Sequence, residues 1–269
     1  MRTLFGFLLF VALGAAIHAQ QPTAPSSPTS AQDGPPAHVF ISDGGATQVL
    51  QSIHIPPLQR APFSATVHTE WIRPLPGGGT FTLVNQRQVA RDSLGRIYQE
   101  RWYLVPKDGK TQSQMYLVQI FDPFAHTFVS CYLLRTPHVC VREPYPETAT
   151  TTYIPPSTQN SPLPNGNGFR THEDLGIQDI DGFETVGSRD TMTVNQGVIG
   201  NDKPFNVSRE FWFASRLGIN LRSEISDPTF GKEVFSVTEV NPLDPDPKLF
   251  EIPGGFEIVD QMKPAAQTD

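Results

Sequence analysis

Histidines are the residues most often used for metal binding and acid–base chemistry, and in this chain they are scattered. After residue 19 they stand at His38, His54, His68, His126, His138 and His172. None forms the HxH, HExxH or HxxxH spacing that brings two ligands onto one face of a strand or helix. The sequence therefore predicts no metal site and no cofactor.

Motifs for other chemistry are incomplete. Gly231-Lys232 is preceded by Ser226 at the position where a phosphate-binding P-loop needs its first glycine. Asp179 to Gly182 resembles the middle of a calcium-binding loop, but Ile177 and Ser188 occupy its two end positions. No GxSxG or SxxK nucleophile motif is present. We predict no catalytic residue, although carboxylates from different strands could still meet, as in glycosidases, which leaves a hydrolase as one alternative.

Aromatic residues on strand-like segments are the main positive feature. Two groups place rings on both faces of one strand, Trp102 with Tyr103 and Phe211 with Trp212 and Phe213, and Trp71 lies on the apolar face of the first strand. Aromatic side chains fill a sheet core without any ligand, and that interpretation accounts for most rings. Rings on both faces of one strand also fit a cavity wall, so we predict these six as candidate residues for binding an apolar ligand.

The two cysteines, Cys131 and Cys140, are separated by a segment that can form a hairpin with a turn at Arg135-Thr136. Such a turn places the two side chains opposite each other on neighbouring strands. In an exported protein an even number of cysteines favours a disulfide. A redox or metal-binding pair is the alternative, but the CxxC spacing is missing. We predict a Cys131–Cys140 disulfide.

The N-terminus has the pattern of a secretory signal peptide over residues 1–19, with Arg2, an apolar run from Leu4 to Ala16 and a small residue at Ala19. The apolar run is too short to span a membrane, and no later run is longer. We therefore expect a periplasmic or secreted protein with no transmembrane segment after cleavage near Ala19.

Charge argues against nucleic acid as a partner. The formal net charge is -7, with 20 basic and 27 acidic residues, and the basic residues are spread singly. A phosphate-binding surface needs clustered lysine and arginine.

Side-chain alternation with a period of two predicts strands from Pro62 onwards. Turn residues separate the segments, and no connector is long enough for a crossover helix, which predicts an antiparallel sheet. The predicted strands cover 62–72, 80–91, 96–105, 114–121, 126–134, 138–142, 184–194, 207–214, 220–225 and 232–240. A helical turn and a closing strand follow near the C-terminus.

The remaining segments set the domain organisation. Residues 20–38 are rich in Pro and Ser and predict a disordered leader. A short helix is plausible between Ser42 and Ile53. Residues 39–260 form one predicted β domain, interrupted by a long Pro- and Asn-rich loop at 143–172. Residues 261–269 predict a flexible tail.

The second half of the chain, from about Leu175 to Val259, resembles the LolA-like lipoprotein-carrier superfamily in an uncharacterised exported bacterial branch. The similarity rests on Glu210-x-Trp212, on the turn Asp227-Pro228-x-x-Gly231 and on the closing PDPKLFEIP from Pro245 to Pro253. The resemblance implies a strongly curved, unclosed antiparallel half-barrel with one or two short helices.

The same resemblance implies a function. We expect an exported non-enzymatic protein that binds a lipid or acyl chain in the concave face of the half-barrel. The alternatives are an envelope protein-interaction or sensor module with a protein partner, and the hydrolase considered above.

Overall fold

The computed structural model describes residues 53–145 and 158–262, and strands dominate this part of the chain. Up to the first gap the strands are β1 (Phe63–Pro74), β2 (Thr80–Arg91), β3 (Ile97–Trp102), β4 (Val105–Pro106), β5 (Met115–Asp122), β6 (Thr127–Tyr132) and β7 (Val139–Pro144). After it come β8 (Ser161–Pro162), β9 (Gly168–Ile180), β10 (Phe183–Val194), β11 (Phe205–Ala214), β12 (Ile219–Asp227), β13 (Gly231–Asn241) and β14 (Glu257–Asp260). Two short 3-10 turns lie at Pro164–Gly166 and Pro247–Phe250.

These strands form one sheet in the order β14-β7-β6-β5-β3-β2-β1-β13-β12-β11-β10-β9-β8, with β4 beside β2. The pairing of β1 with β13 joins a half built from the early strands to a half built from the late ones. The two end strands, β14 and β8, do not pair with each other, so the sheet stays open. The predicted fold class, a mainly antiparallel and unclosed β structure with short helical turns, is confirmed.

Strand β1 shows how the sequence pattern creates two different faces. Phe63, Val67 and Trp71 are buried on one face, which we name the Trp71 face. Alternate residues of β1 such as His68 point to the opposite face. Tyr98 of β3 stands opposite Ala90 of β2 and points to this same face. We name it the Tyr98 face. Successive side chains of a strand point to opposite faces, so a sequence that alternates apolar and polar residues gives one face of each kind.

The main core packs against the Trp71 face of β1. Its buried members come from β1, β2, β3, β10, β11, β12 and β13, from the segment before β1, from the connection between β3 and β4 and from the turn after β11: Ile53, Ile55, Phe63, Ala65, Val67, Trp71, Val89, Ile97, Leu104, Phe183, Ala214, Leu217, Ile219, Leu221, Phe235 and Val237. This core fixes β1 and β13 at the centre of the sheet.

A second core covers the Tyr98 face of the early half. Phe250, in the 3-10 turn before β14, packs with Ala90, Val118 and Ile120. Cys131 and Cys140 belong to the same cluster and are directly opposed in the β6–β7 register. They form a disulfide with Cα atoms 4.0 Å apart, as predicted. The loop between them spans 133–138 and is therefore longer than the predicted tight turn.

One strand pair departs from the antiparallel prediction. β14 pairs with β7 in parallel, with Ile258 opposite Cys140. The chain reaches β7 from β13, at the centre of the sheet, through the long segment 242–256. Parallel strands cannot be joined by a hairpin, and here β8 to β13 and the segment 242–256 all lie between β7 and β14 in the sequence.

The predicted loop at 143–172 is wrong in its last part. β8 lies at Ser161–Pro162, and β9 begins at Gly168 and pairs with β10 along its length. Most β9 side chains are exposed, so the apolar alternation that reveals a strand is missing from this segment. The predicted strand at 96–105 is also divided, into β3 and β4.

Several predictions fall outside the described residues. The signal peptide at 1–19, the leader at 20–38 and the short helix before Ile53 lie before the described part of the chain, and most of the tail at 261–269 lies after it. These predictions stay predictions.

Candidate functional site

The candidate site is a cavity on the Tyr98 face, between the early strands and the segment that leads to β14. Its volume is about 450 Å³. We name it the Tyr98 pocket. Most of its lining is apolar: Tyr98, Met115, Val118, Cys131, Leu133, Leu249, Ile252, Pro253 and Phe256, with Lys248 and Glu251 at the segment's polar positions. Ligand pockets in proteins usually measure about 300–1,000 Å³ and are predominantly apolar.

Three contacts hold the covering segment over this face. The Ser93 N–H donates to Asp244 Oδ1 over 2.7 Å at the start of the segment. The Arg96 guanidinium stacks on the Phe250 ring at 4.7 Å from its centroid. Near the end, the Glu257 N–H donates to the His138 carbonyl over 2.9 Å. These contacts place the segment 242–256 over the pocket.

Glu100 organises the wall of the pocket. Its carboxylate accepts hydrogen bonds from the Tyr98 hydroxyl (3.0 Å), the Trp102 indole N–H (2.8 Å) and the Gln88 backbone N–H (3.1 Å). Burial and the Glu100 charge raise the pKa of Tyr98. The phenol therefore stays neutral and keeps donating, which leaves its ring as a rigid apolar surface.

The six predicted ligand residues do not form one site in the structure. Trp102 lies beside the Tyr98 pocket, where its indole N–H donates to Glu100. Trp71 is 1% exposed and packs against Phe81 and Phe230 at ring-centroid distances of 6.0 and 5.6 Å. It therefore presents almost no surface to a ligand.

The other four predicted residues are divided between two strand regions. Tyr103 stacks on Tyr116 with centroids 4.6 Å apart. Phe211 lines a second cavity, described below. The Trp212 ring covers Gly187, where an added Cβ would lie 2.7 Å from the ring, and Phe213 is half-buried opposite Val186. Strands β2, β1, β13 and β12 separate the β3 rings from the β11 rings in the sheet.

A group of one histidine and two aspartates on β9 and β10 was not predicted from the sequence. His172 Nδ1 lies 2.9 Å from Asp190 Oδ1, and its Nε2 lies 3.3 Å from Asp174 Oδ1. Hydrogen bonding to Asp190 raises the pKa of His172, and Asp174 adds to this effect. Because carboxylates occupy both ring nitrogens, this histidine does not pair with a hydroxyl nucleophile. Across residues 53–145 and 158–262, no group of three or more His, Cys, Asp or Glu is placed to hold a metal ion.

None of the residues that line the Tyr98 pocket was predicted from sequence as a ligand residue. Met115 and Ile252 are far apart in the chain and meet only because 242–256 crosses the sheet. The available signal was the closing segment PKLFEIPGGF, whose apolar residues exceed what a helical turn and an edge strand need.

None of the helical turns within the described residues has the length and apolar character needed to cross a membrane. No protein-family model matches the sequence, and no curated protein matches it.

The chain is similar to several solved structures. One is the Pseudomonas aeruginosa MucA/MucB complex, at 14% identity and a TM-score of 0.36, covering 75% of this chain and 59% of that one. Another is LprF from Mycobacterium bovis, at 13% identity and a TM-score of 0.29, covering 69% of this chain and 90% of that one. A LolA superfamily protein from Nitrosomonas europaea is similar at 10% identity and a TM-score of 0.25, covering 72% of this chain and 92% of that one.

This chain thus spans about three fifths of the MucB-complex chain that it matches. Identities and TM-scores of this size transfer no ligand, partner or activity to this chain.

Proposed function

We propose that this protein binds an apolar ligand, a lipid or an acyl chain, in the Tyr98 pocket. The observation that supports the proposal is a cavity of about 450 Å³ whose walls carry mostly apolar side chains. Filling such a cavity with hydrocarbon removes apolar surface from water, at about 25 cal/mol per Å². A soluble protein that only needed a core would gain by closing this space.

The site differs from the one expected from sequence. The expected site was the concave face with the six aromatic residues. The Tyr98 pocket lies instead under the C-terminal segment, and of those six residues only Trp102 lies next to it. The ligand class is the same. The proposal concerns binding and release by an exported protein, with no chemical step.

A filling substitution tests the proposal. Methyl decanoate serves as a neutral acyl probe. Ligand-observed NMR measures its affinity for the full chain and for each variant, and methyl-labelled methionine in the wild type reports where it binds. Met115 lines the Tyr98 pocket, so its methyl resonance should shift as the probe binds. Met115→Trp should weaken binding at least about tenfold, because the indole occupies the space of the chain.

Met192→Trp is the matched control, since Met192 lines the other cavity. It should leave the affinity for methyl decanoate unchanged. Native mass spectrometry of the protein purified from its own host gives an independent check, through a co-purifying lipid. A protein that is purified without lipid and whose Met115 resonance does not shift when the probe is added would contradict the proposal and favour the protein-interaction alternative.

A further inference from the structure

A second cavity lies on the Trp71 face of the late half, over β9, β10 and β11. Its volume is about 410 Å³. We name it the Arg209 pocket. Its lining has two parts: the charged side chains of Arg170, Asp190 and Arg209, and the apolar side chains of Met192, Val207 and Phe211. The face follows from the register, because Phe211, Ser223, Phe235 and Thr69 stand opposite one another on successive strands.

The carboxylate of Asp190 is already occupied. Its Oδ1 is bonded to His172 Nδ1 and its Oδ2 accepts from an Arg170 N–H, both over 2.9 Å. Arg209 stands directly opposite Asp190 in the β10–β11 register. His172 and Arg170, both on β9, bind the two carboxylate oxygens, and Arg209 makes no ion pair with Asp190.

Within the described residues, the Arg209 side chain makes no hydrogen bond, ion pair or ring contact, although its backbone is paired in the sheet. The lining carries two guanidinium groups and one carboxylate, so the pocket is positive in a chain of net charge -7. Arg209 lines this cavity and is exposed to solvent at its mouth.

The apolar part of the lining stands beside this cation. Val207 is 8% exposed, and Met192 and Phe211 border it on β10 and β11. A ligand that satisfies both parts has one anionic group and an apolar body. One free guanidinium matches one planar carboxylate, because its N–H groups can donate to both oxygens at once.

We propose that the Arg209 pocket binds a small organic carboxylate, with the carboxylate on Arg209 and an apolar group against Met192, Val207 and Phe211. The pocket is separate from the Tyr98 pocket and lies on the opposite face of the sheet. The proposal therefore goes beyond the apolar-ligand function and can fail or succeed independently of it.

The test compares 1-naphthoate with the neutral 1-naphthamide, which has the same ring system and lacks the charge. Ligand-observed NMR on the full chain gives both affinities. Naphthoate should bind about tenfold or more tightly than naphthamide, as expected for a hydrogen-bonded charge pair. The Met192 methyl resonance should shift and the Met115 resonance should not.

Arg209→Gln should reduce the naphthoate affinity to that of naphthamide, and Arg209→Lys should lose part of it, because the charge remains and the paired donors are lost. Arg222→Gln is the matched control, since Arg222 is an exposed arginine that points to the Tyr98 face of neighbouring β12. It should leave both affinities unchanged. Equal affinities for acid and amide, or a naphthoate affinity that Arg209→Gln does not change, would overturn the proposal.

Discussion

Asp190 pairs with two side chains of β9. His172 and Arg170 hydrogen-bond to its two oxygens, and Arg209, directly opposite on β11, makes no ion pair with it. His172 is held on its other side by Asp174, and its side chain is 6% exposed. A single carboxylate thus orders two side chains of β9.

The His172 pair makes stability depend on pH in a defined direction. An unperturbed histidine titrates near pH 6.5, and the pKa of His172 is raised in the folded protein, first by its hydrogen bond with Asp190. The contribution is therefore complete below about pH 6.5 and is lost as pH rises through the raised pKa. The free energy of unfolding of the wild type, relative to His172→Gln, should be larger at pH 5.5 than at pH 8.5.

Denaturant unfolding of both proteins at several pH values measures this difference. Glutamine keeps a hydrogen-bonding side chain without a titrating group, so changes in other groups cancel in the comparison. A difference that stays constant from pH 5.5 to 8.5 would show that the imidazole charge contributes nothing to the folded state.

Among the elements, β1 and β9 mark the limits of the sequence prediction. In β1 the apolar residues Phe63, Val67 and Trp71 alternate with more polar ones, because one face meets the main core. In β9 few side chains are buried, so no apolar alternation is present. Hydrogen bonding to β10 forms this strand, and that pairing leaves no trace in a local pattern. The cysteine pair, in contrast, was predictable because spacing within one hairpin is local.

The disulfide connects two strands near one end of the sheet. Cys131 and Cys140 are both fully buried, join β6 to β7 and contribute to the core beneath Phe250. Replacing both by alanine should lower the free energy of unfolding by about 2–3 kcal/mol, the range for a short closed loop. The amide hydrogens of β7 and β14 should exchange faster, since β14 pairs with β7.

Hydrogen exchange followed by mass spectrometry resolves this effect strand by strand. The wild type should show no free thiols in the native state and should lose stability when dithiothreitol is added. The double alanine variant should not respond to dithiothreitol. A variant as stable as the wild type, with unchanged exchange in β7, would mean that the strand pairing alone fixes this end of the sheet.

On the scale of the whole molecule, the binding surfaces depend on contacts between residues far apart in the chain. The strands, their turns and the resemblance in the second half were sufficient for the fold class. Both pockets depend on something else: the path of 242–256 over the Tyr98 face, and the register that places Arg209 opposite an occupied Asp190. Neither can be read from local spacing, whereas the aromatic pattern on the strands can.

Arg91 connects the two halves of the sheet at one point. It is 0% exposed, and its guanidinium donates to the carbonyls of Pro56 and Ala61, before β1, and of Leu217, in the turn between β11 and β12. Burial lowers the pKa of Arg91 to about 10, which still leaves the group charged at neutral pH. Arg91 of β2 therefore binds the turn between β11 and β12 by a hydrogen bond to a backbone carbonyl group.

Arg91→Met keeps much of the side-chain volume and removes every donor, so the buried carbonyls lose their partners. We expect the free energy of unfolding to fall by about 3 kcal/mol or more, since hydrogen bonds to a charged group contribute about 1.5–3 kcal/mol each. Arg222→Met removes a surface arginine that is 3.7 Å from Glu224 and should cost about 1 kcal/mol or less. Denaturant unfolding measures both values. Equal losses in the two variants would mean that the halves are held together by the β1–β13 pairing and the apolar core without this buried cation.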